Sequence, residues 1–220
     1  MQPMPHRRSC LAAALGALLI TVTTGCIGAV DRADFEKTIQ ARGGGLVSAL
    51  PAAALDTLRQ RLGTPDIHAT VMLLTAPESH SLTLQVRSPQ VDRLLTENKN
   101  LAIKDSAVHL RIRVPGRPDQ QDDYTFANGT LHGPTPVHVS AFVDLDSETF
   151  DVRDVSGLLK LEEVVDTALT QTGVEDGYVS SIVISRVDAD LLMSVHVTSP
   201  RTTMVAQFDR AGTFLRMQQL

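Results

Sequence analysis

Four basic side chains follow one another along a predicted strand and the loop after it. Apolar and polar residues alternate over 108–114, which predicts a strand with one buried face. The other face and the exit loop carry His109, Arg111, Arg113 and Arg117. In a chain with a net charge of −5, this basic stripe could bind anionic lipid headgroups, polysaccharide or an acidic protein. The alternative is an ordinary solvated face, because half-buried strands usually carry charge outside.

Histidine is the second residue type with binding chemistry. His132 and His138 flank Gly133-Pro134, and neighbouring strands could bring them to His109 to bind Zn²⁺. However, the chain contains neither His-x-His nor His-Glu-x-x-His, and solvent-facing strand positions account for histidines of this kind. We therefore predict no metal site and no cofactor. No Gly-x-Ser-x-Gly motif occurs either, so we predict a non-enzymatic protein. A hydrolase would need a serine or histidine cluster that only the fold could assemble.

Cysteine chemistry is confined to the N-terminus. After Arg7 and Arg8, residues 11–22 (LAAALGALLITV) carry no charge. This run suits the apolar core of a signal peptide but is too short to span a bilayer, which takes about 20 residues. The segment that follows, Val22-Thr23-Thr24-Gly25-Cys26, resembles a bacterial lipobox, although Thr23 stands where the family usually has leucine. The alternative is a plain secretory signal with an incidental cysteine.

The lipobox resemblance implies cleavage after Gly25 and acylation of the Cys26 thiol. The acyl chains would then hold the protein on the extracytoplasmic face of the cell membrane or in the cell envelope. Cys10 would be removed with the signal peptide, so no free thiol would remain for a disulfide or a metal. The 16 Arg against 4 Lys are typical of a GC-rich genome, and together with the lipobox they favour an actinobacterial envelope lipoprotein.

Composition limits the other classes. A chain of 220 residues with 43% hydrophobic residues is neither disordered nor a small disulfide scaffold. Its negative net charge argues against a general nucleic-acid binder.

Hydrophobic periodicity predicts both helices and strands. Helices are expected over 34–41, from Pro51 to a stop at Gly63, and over 161–169 with a stop at Gly173. Asn128-Gly129 predicts a hairpin turn and 115–123 a mobile loop. Strands are expected over 67–74, 82–87, 108–114, 137–143, 178–185, 192–198, 203–208 and 214–217.

An internal repeat is indicated when the chain is shifted against itself by 110 residues. Asp56-Thr57 then falls on Asp166-Thr167, and Met72-Leu73-Leu74 falls on Ile182-Val183-Ile184. After one further residue of shift, the segment from Leu82 to Pro89 falls on that from Met193 to Pro200. We therefore predict two related units, each a helix followed by a hairpin.

This layout loosely resembles the tandem modules of PepSY-type domains and the β-lactamase-inhibitor-like fold, over residues 50–90 and 160–217. The resemblance implies an α+β fold, with an antiparallel sheet and helices packed on one face, and it favours binding over catalysis. The predicted organisation is a signal peptide (1–25), a lipidated cysteine and tether (26–33), a first unit with extra strands (34–155) and a second unit (156–220).

We predict a membrane-anchored envelope lipoprotein that acts as a non-enzymatic binding or scaffolding module. Its expected partners are the membrane, through diacylglyceryl-Cys26, and an envelope protein, lipid or polysaccharide, but no nucleic acid. The alternative is a carrier of a lipid or other apolar ligand in a cavity between the helices and the sheet.

Overall fold

The computed structural model describes residues 31–47, 49–77, 88–98 and 105–220. Residues Arg32–Leu220 form one compact unit, separate from Met1–Asp31. The predicted signal peptide, Cys26 and the predicted strand over 82–87 lie outside the described residues. The α-helices are α1 Arg32–Ala41, α2 Leu50–Leu62, α3 Pro89–Glu97, α4 Leu145–Glu148 and α5 Leu161–Thr172. The strands are β1 His68–Thr75, β2 Ala107–Val114, β3 Arg117–Ala127, β4 Thr130–Val137, β5 Phe150–Asp151, β6 Tyr178–Val187, β7 Asp190–Thr198, β8 Thr203–Asp209 and β9 Phe214–Gln219.

All nine strands in the described part of the chain belong to one antiparallel sheet, so the predicted α+β class is confirmed. The strand order is β4-β3-β2-β1-β6-β7-β8-β9, and the short β5 pairs with the beginning of β1. Apart from β5, neighbours in the sheet are also neighbours in sequence, except at the centre, where β1 pairs with β6. Each half of the chain therefore contributes its first strand to the middle of the sheet.

The central strands pair about an approximate two-fold axis. Leu73 lies opposite Val183, and the flanking pairs are Met72 with Ile184 and Leu74 with Ile182. Under the shift of 110 residues Leu73 matches Val183, so this matched pair lies at the axis, and the flanking matched residues are exchanged across it. The helices before the two strands end alike, because Gly63 and Gly173 cap α2 and α5 in the left-handed conformation that glycine tolerates best.

One face of the sheet carries the main hydrophobic core. Apolar residues of α2 (Ala54, Leu55, Leu58) and of α5 (Val164, Val165, Ala168) pack there against alternate residues of the strands. This is the arrangement that period-2 strands and period-3.6 helices require when each buries one side.

A third helix occupies the opposite face, so the expectation that all helices pack on one face is wrong. Val91 and Leu94 of α3 pack against Val71, Leu73 and Val183, which point away from the main core. Helix α3 was not predicted, because its nine residues provide little more than two turns of periodicity. The sheet is therefore a middle layer with buried side chains on both faces.

Two further expectations are wrong. Residues 115–123 are not a loop, because β3 starts at Arg117 and pairs with β2 through an irregularity between Arg113 and Val114. A β-bulge interrupts the hydrogen-bond ladder, so proline and polar residues are tolerated beside it in a hairpin. Residues 137–143 are not a strand, because β4 ends at Val137 and Phe142 is 99% exposed. The Asn128-Gly129 hairpin turn is confirmed, with positive φ at both residues.

The last part of the repeat alignment can be compared only at the two Ser-Pro pairs, because residues 82–87 lie outside the described residues. Pro89 begins α3, whereas Pro200 lies in the turn between β7 and β8, so the two Ser-Pro pairs occupy different structures. In the first half, the strand that pairs beside β1 is β2, which starts only at Ala107.

Candidate functional site: a buried polar row on the sheet

A row of uncharged polar side chains crosses three strands on the face opposite the main core. Thr75 lies opposite Ser181, and Ser181 lies opposite His196. Their neighbours along each strand, such as Leu74, Ile182 and Val195, belong to the main core on the other face. All three row residues are at most 1% exposed. We call Thr75, Ser181 and His196 the polar row.

The side chains of the polar row lack hydrogen bonds. Within the part of the chain that the structure describes, no partner is found for Thr75 Oγ1, Ser181 Oγ or either ring nitrogen of His196. A buried polar group without a partner costs about 1–3 kcal/mol of stability. Groups of this kind are normally satisfied by water or a ligand, or are kept for a function.

The polar row is uncharged at neutral pH. Burial lowers the pKa of His196 from 6.5 to about 4, and no other cause contributes. A neutral imidazole offers one N–H donor and one acceptor nitrogen, and each hydroxyl can both donate and accept. The row therefore carries donors and acceptors that have no partner in the described residues, and burial would penalise a charge placed beside them.

Ser181 and His196 are also the residue types of a nucleophile and its base. A catalytic base must form a hydrogen bond with the nucleophile and is usually oriented by a third group. Here Ser181 Oγ and the imidazole form no mutual hydrogen bond, and neither ring nitrogen meets a carboxylate in the described residues. A pKa of about 4 also makes His196 a weak base at neutral pH. Among the described residues, Ser181 and His196 are therefore not arranged as a hydrogen-bonded nucleophile and base.

A second buried histidine lies on the same face. His109 Nδ1 is 3.0 Å from Thr125 Oγ1, whereas its Nε2 has no partner within the described ranges. Burial lowers the pKa of His109 to about 4, against the opposing effect of the Asp123 carboxylate. Thr125 separates His109 from His132, which lies one strand further out. Two strand spacings amount to about 10 Å, too far for two ligands of one metal ion.

His109 and His132 therefore do not come together as the histidine cluster considered above for Zn²⁺. His138 lies just beyond the end of β4. Over the described ranges, no group of three histidine, cysteine or acidic residues is placed to hold a metal ion.

The predicted basic stripe is not an exposed surface, and this expectation is wrong for its first two members. His109 and Arg111 are each only 2% exposed, so the alternative of a solvated face is also wrong for them. Arg111 donates from Nε and Nη2 to both carboxylate oxygens of Asp123, at 2.8 and 2.7 Å. Arg111 Nη2 also lies 2.7 Å from Glu97 Oε2, at the end of α3.

The other two members of the stripe lie at the turn end of the β2–β3 hairpin. Arg113 donates to the Pro118 carbonyl at 2.7 Å and forms an ion pair with Asp146 at 2.6 Å. Arg117 is exposed, and its guanidinium lies 3.4 Å from the Gln120 side-chain oxygen. The four side chains therefore do not act together as one anion-binding surface.

Sequence reasoning missed the polar row because it treated the polar positions of strands as solvent-facing. One signal was available. The second-face positions of β6 are Ser181, Val183 and Ser185, which are small and uncharged, whereas a solvated face usually carries charge. Small uncharged residues at such positions indicate a buried face.

The space that a carried lipid was expected to occupy is filled. Between α2, α5 and the sheet lies a continuous cluster of buried apolar side chains. Packing beside α5 is close, since a Cβ on Gly157 would lie 2.5 Å from Met193 Sδ. Two grooves, of about 620 and 430 Å³, lie elsewhere on the surface.

The larger groove separates α1 from the ends of the central strands. Lys37, Gln40 and Ala41 of α1 line one side, and Pro77 and Tyr178 are among the residues opposite. An ion pair of 3.4 Å between Lys37 and Asp176 links α1 to the segment before β6. Over the described ranges, every helix falls short of the length and hydropathy needed to cross a membrane.

Comparisons with known proteins leave the function open. No protein-family model matches the sequence, and none of the curated proteins matches it. A crystal structure of a candidate lipoprotein from Clostridium difficile 630 is similar, with 9% sequence identity and a TM-score of 0.42, covering 78% of this chain and 93% of that one. A likeness at this level does not establish a shared function.

Proposed function

We propose that this chain is a lipid-anchored binding protein of the cell envelope, which holds a neutral hydrogen-bonding ligand at the polar row. The proposed anchor is Cys26, and the proposed location is the extracytoplasmic face of the membrane. The observation that carries the binding role is the set of buried, unpartnered polar atoms on Thr75, Ser181 and His196. No chemical step is assigned to the protein.

The anchor is supported by the order of features before the folded unit. A basic pair, an uncharged run and Gly25-Cys26 follow one another, and α1 begins at Arg32, six residues after Cys26. Labelled palmitate fed to the producing bacterium should enter the wild-type protein and a Cys10→Ala control, but not Cys26→Ala. Unchanged membrane fractionation of Cys26→Ala would rule out the anchor.

The chemistry of the ligand follows from the row. Two hydroxyls and a neutral imidazole match hydroxyl or amide groups, and the unfavourable burial of charge disfavours carboxylates, phosphates and amines. The apolar side chains of Val71, Leu73 and Val183 lie beside the row on the same face and are covered by Val91 and Leu94 of α3. The proposed ligand contact is therefore assigned to the polar row alone.

A substitution that removes a polar group of the polar row should abolish ligand binding and also stabilise the ligand-free protein. Ser181→Ala removes a buried hydroxyl that has no partner in the described residues, so the ligand-free protein should gain about 1 kcal/mol or more of unfolding free energy. Native mass spectrometry should find a bound small molecule on wild-type protein purified from its envelope, and little on Ser181→Ala. The matched control is Ser194→Ala, which changes a different buried serine, on β7. This variant should retain the molecule.

Two results would contradict the binding role. One is a destabilised Ser181→Ala protein, because it would mean that the hydroxyl has a structural partner such as a fixed water. The other is a bound molecule that persists equally in Ser181→Ala, His196→Leu and Ser194→Ala.

A further inference from the structure

The helix nearest the proposed anchor presents an apolar pair away from the domain. Successive residues of an α-helix are rotated by about 100°, so Lys37, Gln40 and Ala41 share the side of α1 that lines the groove. Phe35 and Ile39 lie one turn apart on the opposite side, and they are 56% and 40% exposed. No residue of α1 is buried. The apolar side of this helix is therefore turned outward.

The charged residues of α1 do not explain why Phe35 and Ile39 are exposed. Arg32 forms an ion pair of 2.8 Å with Glu36, and Lys37 pairs with Asp176 on the other side. Within α1, Arg32 and Lys37 are balanced by Asp34 and Glu36. A partner of this face would therefore be recognised by apolar contact more than by charge.

The length of chain before α1 identifies the partner. Only five residues separate Cys26 from Arg32, and a fully extended chain spans about 3.3–3.6 Å per residue. An acylated Cys26 would therefore keep the start of α1 within roughly 20 Å of the lipid surface. Two apolar side chains bind a bilayer weakly by themselves, but a short covalent tether makes their insertion an intramolecular step at high effective concentration.

We propose that α1 lies on the membrane in the anchored protein, with Phe35 and Ile39 inserted between the lipid headgroups. This inference rests on the proposed anchor at Cys26. It also assigns an orientation, since the ends of β1 and β6 that face α1 across the groove would be the part of the sheet nearest the membrane.

The chain contains no tryptophan, so a single introduced tryptophan reports its own surroundings. Phe35→Trp is the probe, and Phe142→Trp, at a 99% exposed position outside α1, is the matched control. Each acylated protein is reconstituted into vesicles of phosphatidylcholine and phosphatidylglycerol, with or without brominated acyl chains. We expect the Phe35→Trp emission to move to shorter wavelength and to be quenched by bromine, and the Phe142→Trp emission to do neither.

A second substitution tests the helix face. Ile39→Ser in the Phe35→Trp protein should reduce the bromine quenching, because half of the apolar contact is lost, whereas the same change with Phe142→Trp should have no effect. Omitting phosphatidylglycerol should change the quenching little, because charge does not carry the contact.

The outcomes separate the two proposals. Protein that floats with the vesicles while Phe35→Trp and Phe142→Trp show equal emission and equal quenching would overturn the docking of α1 and leave the anchor intact. Protein that carries no acyl chain and does not float would overturn the anchor and, with it, the docking.

Discussion

Arg111 and Asp123 form a two-pronged ion pair across β2 and β3, with side chains only 2% and 12% exposed. Replacing Arg111 with alanine would leave the Asp123 carboxylate largely buried without its cation. Loss of one partner from such a pair costs about 3–5 kcal/mol of unfolding free energy. We expect a loss of this size for Arg111→Ala in urea denaturation.

Arg117→Ala is the control for charge removal, because Arg117 is exposed, and it should change the unfolding free energy by no more than about 0.5 kcal/mol. Arg111→Met combined with Asp123→Leu should recover much of the stability, since apolar replacement of a buried pair is often tolerated. Recovery should be incomplete because Asp123 also accepts a hydrogen bond from Asn98. Equal stabilities of Arg111→Ala and Arg117→Ala would contradict the buried pair.

Acid should destabilise the protein before most carboxylates titrate. The pKa values of His109 and His196 are lowered to about 4, whereas in the unfolded chain both are near 6.5. Below pH 6.5 the unfolded state therefore binds protons that the folded state does not, and stability falls until about pH 4. The loss should be on the order of 3 kcal/mol for each histidine over this interval, measured by urea denaturation at several pH values.

Substitution of a buried histidine tests whether this pH dependence arises from the imidazole rings of His109 and His196. His196→Leu should remove about half of the slope. Hydrogen bonds and ion pairing with Arg153 lower the pKa of Asp151, and its contribution is lost only below pH 4, outside this window. A wild-type stability that is flat between pH 6.5 and 4 would contradict the neutral, buried state of both histidines.

Two leucines test the main core. Leu58 of α2 is 0% exposed, whereas Leu159 is 90% exposed in the short helical turn before α5. Leu58→Ala should cost about 2–5 kcal/mol because it leaves a cavity, and Leu159→Ala should stay within about 0.5 kcal/mol of wild type. Thermal unfolding of the two proteins side by side measures the difference. Similar midpoints would mean that α2 does not pack on the sheet as described.

Two glycines test packing and backbone geometry separately. An alanine at 157 would place its Cβ 2.5 Å from Met193 Sδ and 2.9 Å from Gly212 N, and such overpacking costs about 1–3 kcal/mol. At Gly129 there is open space, but φ is +71°, so Gly129→Ala should cost about 1–2 kcal/mol through strain alone. Adding Met193→Ala should reduce the cost of Gly157→Ala and leave that of Gly129→Ala unchanged in denaturant unfolding.

Local sequence patterns predicted the helices, strands and caps that are determined by residues close together in sequence. The alternation over 108–114 corresponds to β2, and the leucines before Gly63 correspond to α2. The glycine stops after α2 and α5 were identified because a left-handed cap favours glycine. These features are determined within about ten residues of chain.

The candidate site depended on contacts that no local pattern contains. Alternation places Ser181 and His196 on one face, but it does not say whether that face is wet or covered. The presence of α3 on the second face decides this for Val71, Leu73 and Val183. Likewise, Arg111 resembled a surface cation because the carboxylates that neutralise it, Asp123 and Glu97, lie on other elements.

The central pairing of β1 with β6 has a kinetic consequence. Leu74 and Ile182 are neighbours in the sheet but are 108 positions apart in sequence, so the two halves meet only after a long loop has closed. Until then each half has an unpaired strand edge, and β1 carries four consecutive apolar residues, at positions 71–74. We expect folding of the complete sheet to be slow and, at high protein concentration, to compete with edge-to-edge association of partly folded chains.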